Sequence, residues 1–329
     1  MNISSIIDII DGELKNSPSI SFIYNIKTDP KKVIEGDLFL VKNKDDIEIA
    51  MQNGAFAIVY DFEIEVLDKE IAWIKVPSVY EALVKLFRYK FSTLNLEVYY
   101  CDKVTYDLIN IYKSSKKEIH LISSNLLRST KIIENLSEEE IFFCADEELI
   151  KKIYPNYKVF STKEYEIENL IEHSLFETSF SYKEKYFNKL KIPSLYINQF
   201  LAVYNFLNID IDFHKLVKLT HFKPIFVDKY LNVIDFGKSN KFIVCQKNLE
   251  LLVNEIKYLE KKYKYGKTIF ISPIYIEGLD ETQIVLENLD NLKQVIKKEY
   301  FNAIYIMGYD KFKVEETLKL SLAESSELF

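Results

Sequence analysis

Apolar residues fall into two alternating patterns along this chain, and their order predicts an α/β protein. Ile3, Ile6, Ile7 and Ile10 share one face of a short opening helix. Alternation over 19–26 and an apolar block over 37–41 predict strands, and 46–52 reads as a helix stopped by Asn53-Gly54, where glycine suits a left-handed cap. Apolar runs at 55–60 and 71–76 predict buried strands, and Ser78 stands where it would cap a helix over 78–90.

From residue 96 the rhythm becomes strand, helix, strand. Strands at 96–101, 119–122 and 141–144 alternate with helices at 104–112 and 147–153, the signature of a parallel sheet with helical crossovers. Residues 176–192 alternate like a hairpin, and helices follow at 195–207 and 213–220. The last third repeats the α/β order, with strands at 231–236, 241–246, 268–272 and 303–307 and helices at 248–263, 290–299 and 314–322. Ser92-Thr93-Leu94-Asn95 and His221-Phe222-Lys223-Pro224 read as joints, which predicts three domains, 1–94, 95–222 and 223–329.

A chain of 329 residues can bury two or three such cores. Its net charge of −7 is well mixed, so no basic face for nucleic acid is expected, and Lys261-Lys262-Tyr263-Lys264 reads as the solvated end of a helix. No apolar run has membrane-spanning length, and the acidic opening lacks the basic start of a secretory signal, so a cytoplasmic protein without membrane insertion is expected. Cys101, Cys144 and Cys245 are scattered and read as buried thiols. His120, His173, His214 and His221 lack metal-ligand spacing, so no metal site is expected.

Three short segments carry the most information. Ile26-Lys27-Thr28-Asp29-Pro30-Lys31-Lys32-Val33 is followed by Gly36-Asp37-Leu38-Phe39 and then by Asn53-Gly54-Ala55-Phe56-Ala57-Ile58-Val59. The order resembles the N-terminal domain of the Mur ligases, ATP-dependent enzymes that add amino acids to UDP-N-acetylmuramate. Further along, Ile192-Pro193-Ser194-Leu195-Tyr196-Ile197-Asn198 with Ala202, Phe222-Lys223-Pro224, Val233-Ile234-Asp235 and Ile276-Glu277-Gly278-Leu279 are similar to later family segments in the same order. The resemblance implies a small N-terminal domain of the UDP-binding type, a reduced central domain with a parallel sheet, and a Rossmann-like C-terminal domain. It is strongest toward the ligase that adds D-Ala-D-Ala. It points to Thr28, Asp29 and Lys31 as UDP or UDP-sugar ligands; read by themselves the residues are first a turn that the fold requires.

Departures from the family pattern fall on its chemistry. After Gly54 no glycine occurs until Gly237, and the family's phosphate-gripping glycine loop belongs in that interval. The strand over 96–101 runs directly into Asp102-Lys103-Val104-Thr105, where Lys103 and Thr105 stand as remnants of the phosphate ligands or as an ordinary first helical turn. Pro30 and Lys31 replace a serine and an arginine, Asn43-Lys44-Asp45 replaces a longer loop, Tyr196 stands where the family has histidine, and Asp228 or Lys229 where it has arginine. No counterpart of the family's carbamoylated lysine or magnesium-binding Glu and His is found. The expectation is therefore a non-catalytic protein linked to peptidoglycan precursor synthesis, without ATP or magnesium as cofactor. It would sense a UDP-N-acetylmuramoyl precursor or partner the cell-wall enzymes. The alternatives are an active D-Ala-D-Ala ligase using ATP and magnesium through a divergent phosphate site, and an interaction protein unrelated to the cell wall.

Overall fold

The structure, a computed structural model, describes residues 1–134, 136–279 and 283–326. Chain contacts gather into two compact units, Met1–Ser161 and Thr162–Phe329. The joints expected near 94 and 222 fall within these units, at the end of a helix and just before a strand.

In the first unit, helix α1 (Ile3–Ile10) is capped by the Asn2 side chain and buries Ile3, Ile6 and Ile10. Strands β1 (Glu13–Leu14), β2 (Ile26–Lys27), β3 (Leu38–Leu40), β4 (Ala57–Tyr60) and β5 (Ala72–Lys75) form a sheet in the order β1-β5-β4-β3-β2, parallel except for β1. Helix α2 (Asp46–Gln52) joins β3 to β4, and α3 (Val79–Ser92), capped by Ser78, follows β5. Most of the strand expected over 19–26 is irregular. Phe22 and Tyr24 face solvent, and the segment is tied by bonds exchanged between Ile23 and Met1, by Ile3 N–H to Ser21 and by Tyr24 N–H to Gly36, with one isolated bridge, Asn2–Phe22, in place of a longer ladder.

A second sheet of the same unit is fully parallel, in the order β7-β8-β6-β9: β6 (Glu97–Tyr100), β7 (Ile119–Ile122), β8 (Ile141–Cys144) and β9 (Lys158–Val159). Its helices are α4 (Lys103–Tyr112), α5 (Thr130–Glu134) and α6 (Glu147–Ile153). The two sheets share one hydrophobic core, because α3 lies between them and its Phe91 ring sits 4.8 Å from Phe142 of β8. Each such fully buried side chain contributes about 1.5–3 kcal/mol of transfer free energy, enough to hold the sheets together.

The second unit opens with an antiparallel sheet of β10 (Glu168–Ser174), β11 (Glu177–Tyr182) and β12 (Lys185–Leu190), followed by α7 (Ile197–Leu207). The hairpin expected over 176–192 is β11 and β12, and β10 adds a third strand beside β11. Strand β10 escapes the pattern because all seven of its residues are exposed, so no inside–outside alternation marks it. The helix expected over 213–220 is a 3-10 turn, Phe213–Lys218.

The remaining strands are β13 (Pro224–Val227), β14 (Val233–Ile234), β15 (Phe242–Gln246), β16 (Thr268–Ser272), β17 (Gln283–Val285) and β18 (Ala303–Met307). They order as β14-β13-β15-β18-β16-β17, with β15 to β17 parallel and β13 antiparallel to both neighbours. Helices α8 (Leu249–Lys262), α9 (Leu292–Lys297) and α10 (Lys311–Ser326) complete the unit. Among the described residues no helix is long and apolar enough to cross a membrane.

Candidate functional site

The three motif segments of the first unit hold one another. The Asn53 side-chain amide donates to the Pro30 carbonyl at 2.9 Å, Gly36 N–H donates to the Gly54 carbonyl at 3.1 Å, and Phe56 N–H donates to the Asp37 carbonyl at 2.8 Å. Gly54 takes a φ of +91° with the Glu35 backbone against it, so a side chain there would meet both a strained backbone and a clash. Asp37 is fully buried and accepts from the Asn25 amide and Ile34 N–H, both at 3.1 Å. Gly36, Asp37, Asn53 and Gly54 are therefore joined by backbone geometry and hydrogen bonding, which accounts for them without a ligand.

Beside this knot lies an open cleft of about 480 Å³. It is lined by the turn after β2, by the loop before α2, and by the segment from Leu127 to Lys131 at the start of α5. Five cations, Lys27, Lys32, Lys42, Arg128 and Lys131, face it against two acids, Asp29 and Asp46. In a chain of net charge −7 this is a local reversal of sign, suited to an anion of several charges. Arg128 is one of only two arginines among 43 basic residues, and a guanidinium offers the forked donors that a phosphate accepts.

Two of the three residues expected to bind UDP line this cleft, but neither is idle. Thr28 is nearly buried; its hydroxyl donates to the Leu127 carbonyl at 3.2 Å and lies 3.4 Å from the Thr130 hydroxyl, tying the two walls together. Asp29 caps the short 3-10 turn Pro30–Lys32 by accepting from Lys31 N–H at 3.2 Å, with Pro30 as its first residue. It also pairs with Lys32 at 2.7 Å, and that bond holds its carboxyl below the usual range. Lys32 faces the cleft, whereas Lys31 is exposed and not among its lining residues. Lys27 stands within the motif, but its grouping with Arg128 and Lys131 has no local signal, because those residues lie about a hundred positions along the chain and only the fold brings them beside it.

The start of α4 is arranged in the opposite way. Asp102 accepts from the backbone N–H groups of Val104 and Thr105, both at 3.0 Å, and from the Thr105 hydroxyl at 2.6 Å. Thr105 is fully buried. Lys103 turns along the helix to Asp107 at 3.1 Å and lies 4.4 Å from the Tyr106 ring centroid. At this helix start two backbone amides and one hydroxyl are thus already donated to a carboxylate of the chain itself.

In the second unit, Tyr196 is buried and donates its hydroxyl to Glu255 of α8. Glu255 is fully buried and also accepts from Tyr305 at 2.5 Å and from the Gln246 amide at 2.8 Å. Burial raises its carboxyl above the ordinary value. Asp228 accepts from Tyr230 and Asn232 N–H at 2.8 and 2.9 Å, closing a turn, and Asp235 pairs with Lys238 at 2.6 Å. The three cysteines are buried and unbridged, and burial pushes the Cys144 thiol up to about 12. Among the described residues no cluster of His, Cys, Asp and Glu could hold a metal ion.

No known protein family's sequence pattern matches the chain, and no curated protein does. Solved structures do match in fold. MurF ligase from Thermotoga maritima, solved in complex with ADP, aligns with a TM-score of 0.52 at 16% identity over 92% of this chain and 98% of its own. MurF from Acinetobacter baumannii aligns with a TM-score of 0.52 at 13% identity over 98% of each chain. The chain therefore has the multidomain α/β fold seen in the Mur ligases.

Proposed function

We propose that this protein is a non-catalytic Mur-ligase-like protein that binds a UDP-bearing peptidoglycan precursor in the cationic cleft of its first unit and does not turn over ATP. The observation that carries the proposal is the Asp102 carboxylate, which takes up the two amides and the hydroxyl that a nucleotide phosphate would need at the start of α4. The retained fold and the five cations around Thr28 and Asp29 supply the binding half of the reading. A diphosphate would sit among Lys27, Lys42, Arg128 and Lys131, with the Thr28–Leu127 bond holding the walls at a fixed spacing.

The test is a thermal-shift and calorimetry panel with UDP, UDP-N-acetylmuramoyl-tripeptide and ATP-Mg²⁺. A ligand that binds only the folded state raises the melting temperature in proportion to the logarithm of its concentration. Stabilisation by the UDP compounds, weakening as salt is added, is the expected outcome. Stabilisation by ATP-Mg²⁺ with phosphate release in the presence of the precursor would overturn it in favour of an active ligase.

A further inference from the structure

Beyond the first unit, a second cleft of about 680 Å³ lies between the tip of the β10–β11 hairpin and the sheet that contains β13 and β15. Phe176 at the hairpin tip is almost fully buried, with its ring 5.1 Å from Phe242 and 6.0 Å from Phe226, and these rings form an aromatic floor. Phe236, 48% exposed, stands as one wall, 5.1 Å from Phe226. Beside it Glu177 is only 9% exposed, which places a carboxylate at the edge of an apolar surface. Such a group needs a cation, since an isolated carboxylate taken out of water is costly.

The chain provides that cation from a flexible side chain. Lys191 pairs with Glu177, and its ammonium sits 4.2 Å from the centroid of the Phe236 ring. The Lys191 side chain is itself 46% exposed, so water can take it back at little cost. We propose that Glu177 and Phe236 form a recognition site for a primary alkylammonium group, and that Lys191 occupies it as a displaceable stand-in. The carboxylate neutralises the charge, the negative face of the Phe236 ring adds a cation–π contact, and the exposed part of that ring packs against the alkyl stem. The same chemistry is carried by a free diamine and by a lysine side chain of a polypeptide.

The experiment compares the full chain with Lys191→Met, Lys191→Met/Glu177→Gln and Lys191→Met/Phe236→Leu. Its probes are 1,5-diaminopentane and Nα-acetyl-lysine-N-methylamide, read by calorimetry and by melting temperature. Lys191→Met leaves Glu177 without its partner, so the expected result is a lower melting temperature that either probe restores. Its affinity for the probe should be about tenfold or more above that of the unaltered chain. Phe236→Leu in that background should weaken binding several-fold, and Glu177→Gln should abolish it. Preference for the acetylated lysine assigns the site to a polypeptide, and preference for the diamine assigns it to a small molecule. Lys191→Met binding no more tightly than the unaltered chain would overturn the proposal, as would undiminished binding when Glu177→Gln is added.

Discussion

The start of α4 and the cleft beside β2 stand in the same unit, and the resemblance to Mur ligases directs attention to both as places for phosphate, yet they present opposite charge. At α4 the helix amides point at their own Asp102, a local cap that any helix can use. At the cleft, side chains from three separate segments bring five cations around a space of about 480 Å³. A cap closes a site with one residue, whereas a cationic cleft must be assembled by the fold. One carboxylate is enough to occupy the helix amides at the first place, while the charge at the second depends on how three segments are packed.

The largest expected effect comes from loosening the frame that brings the cleft walls together. Phe91 is fully buried against Phe142 between the two sheets, so Phe91→Ala should cost about 3–5 kcal/mol in chemical denaturation. Binding of the UDP compound should weaken with it, while a cleft built by the first sheet alone would keep its affinity. Next, Arg128→Ala should weaken UDP binding about 10- to 100-fold by calorimetry, the worth of a charge-assisted hydrogen bond, with little change in melting temperature. Unchanged affinity would remove the cleft from the comparison.

Asp102→Ala should cost about 1–2 kcal/mol through the lost cap, measured as a shift of the denaturation midpoint. If the same variant gained stabilisation from ATP-Mg²⁺, the closed helix start would be a gate that one carboxylate holds shut. If it gained none, the missing glycines matter independently of the acid.

The smallest effect concerns a second carboxylate that, unlike Asp102, is wholly inside. Burial raises the Glu255 carboxyl, so its contribution to stability is present in full below the unfolded value near 4.5 and is lost as the pH rises through the folded one. Glu255→Gln, which mimics the protonated form, should flatten that decline. Thermal melts of both proteins from pH 4 to 8 check this, and parallel pH profiles would show that the carboxyl stays neutral throughout.

Much of the fold was legible in the pattern of apolar residues. Helix α1 follows from Ile3, Ile6 and Ile10, the end of α2 from Asn53-Gly54, where Gly54 takes its positive φ, and the parallel sheet of β6 to β8 from alternation of strand and helix. Elements without a buried face escaped. Strand β10 is exposed throughout, and β13 begins at Pro224, a residue that removes one ladder donor and reads as a breaker. Of the candidate site, Thr28 and Asp29 were legible from the motif, while Arg128 and Lys131 carried no local signal beyond the rarity of arginine in the chain.

Helix α1, the turns at Gly36 and Gly54, and the glycine-free interval from Gly54 to Gly237 belong to the sequence alone, because each depends on residues close together in the chain. Only the tertiary structure decided where charge accumulates. Proximity among Lys27, Lys42 and Arg128 arises from two sheets sharing one core, and a net charge of −7 averages that local excess away. The capping role of Asp102 likewise belongs to the fold, where its two oxygens accept from the helix amides and the Thr105 hydroxyl. A carboxylate in a sequence is a charge, and geometry determines whether it repels a ligand, caps a helix or does both.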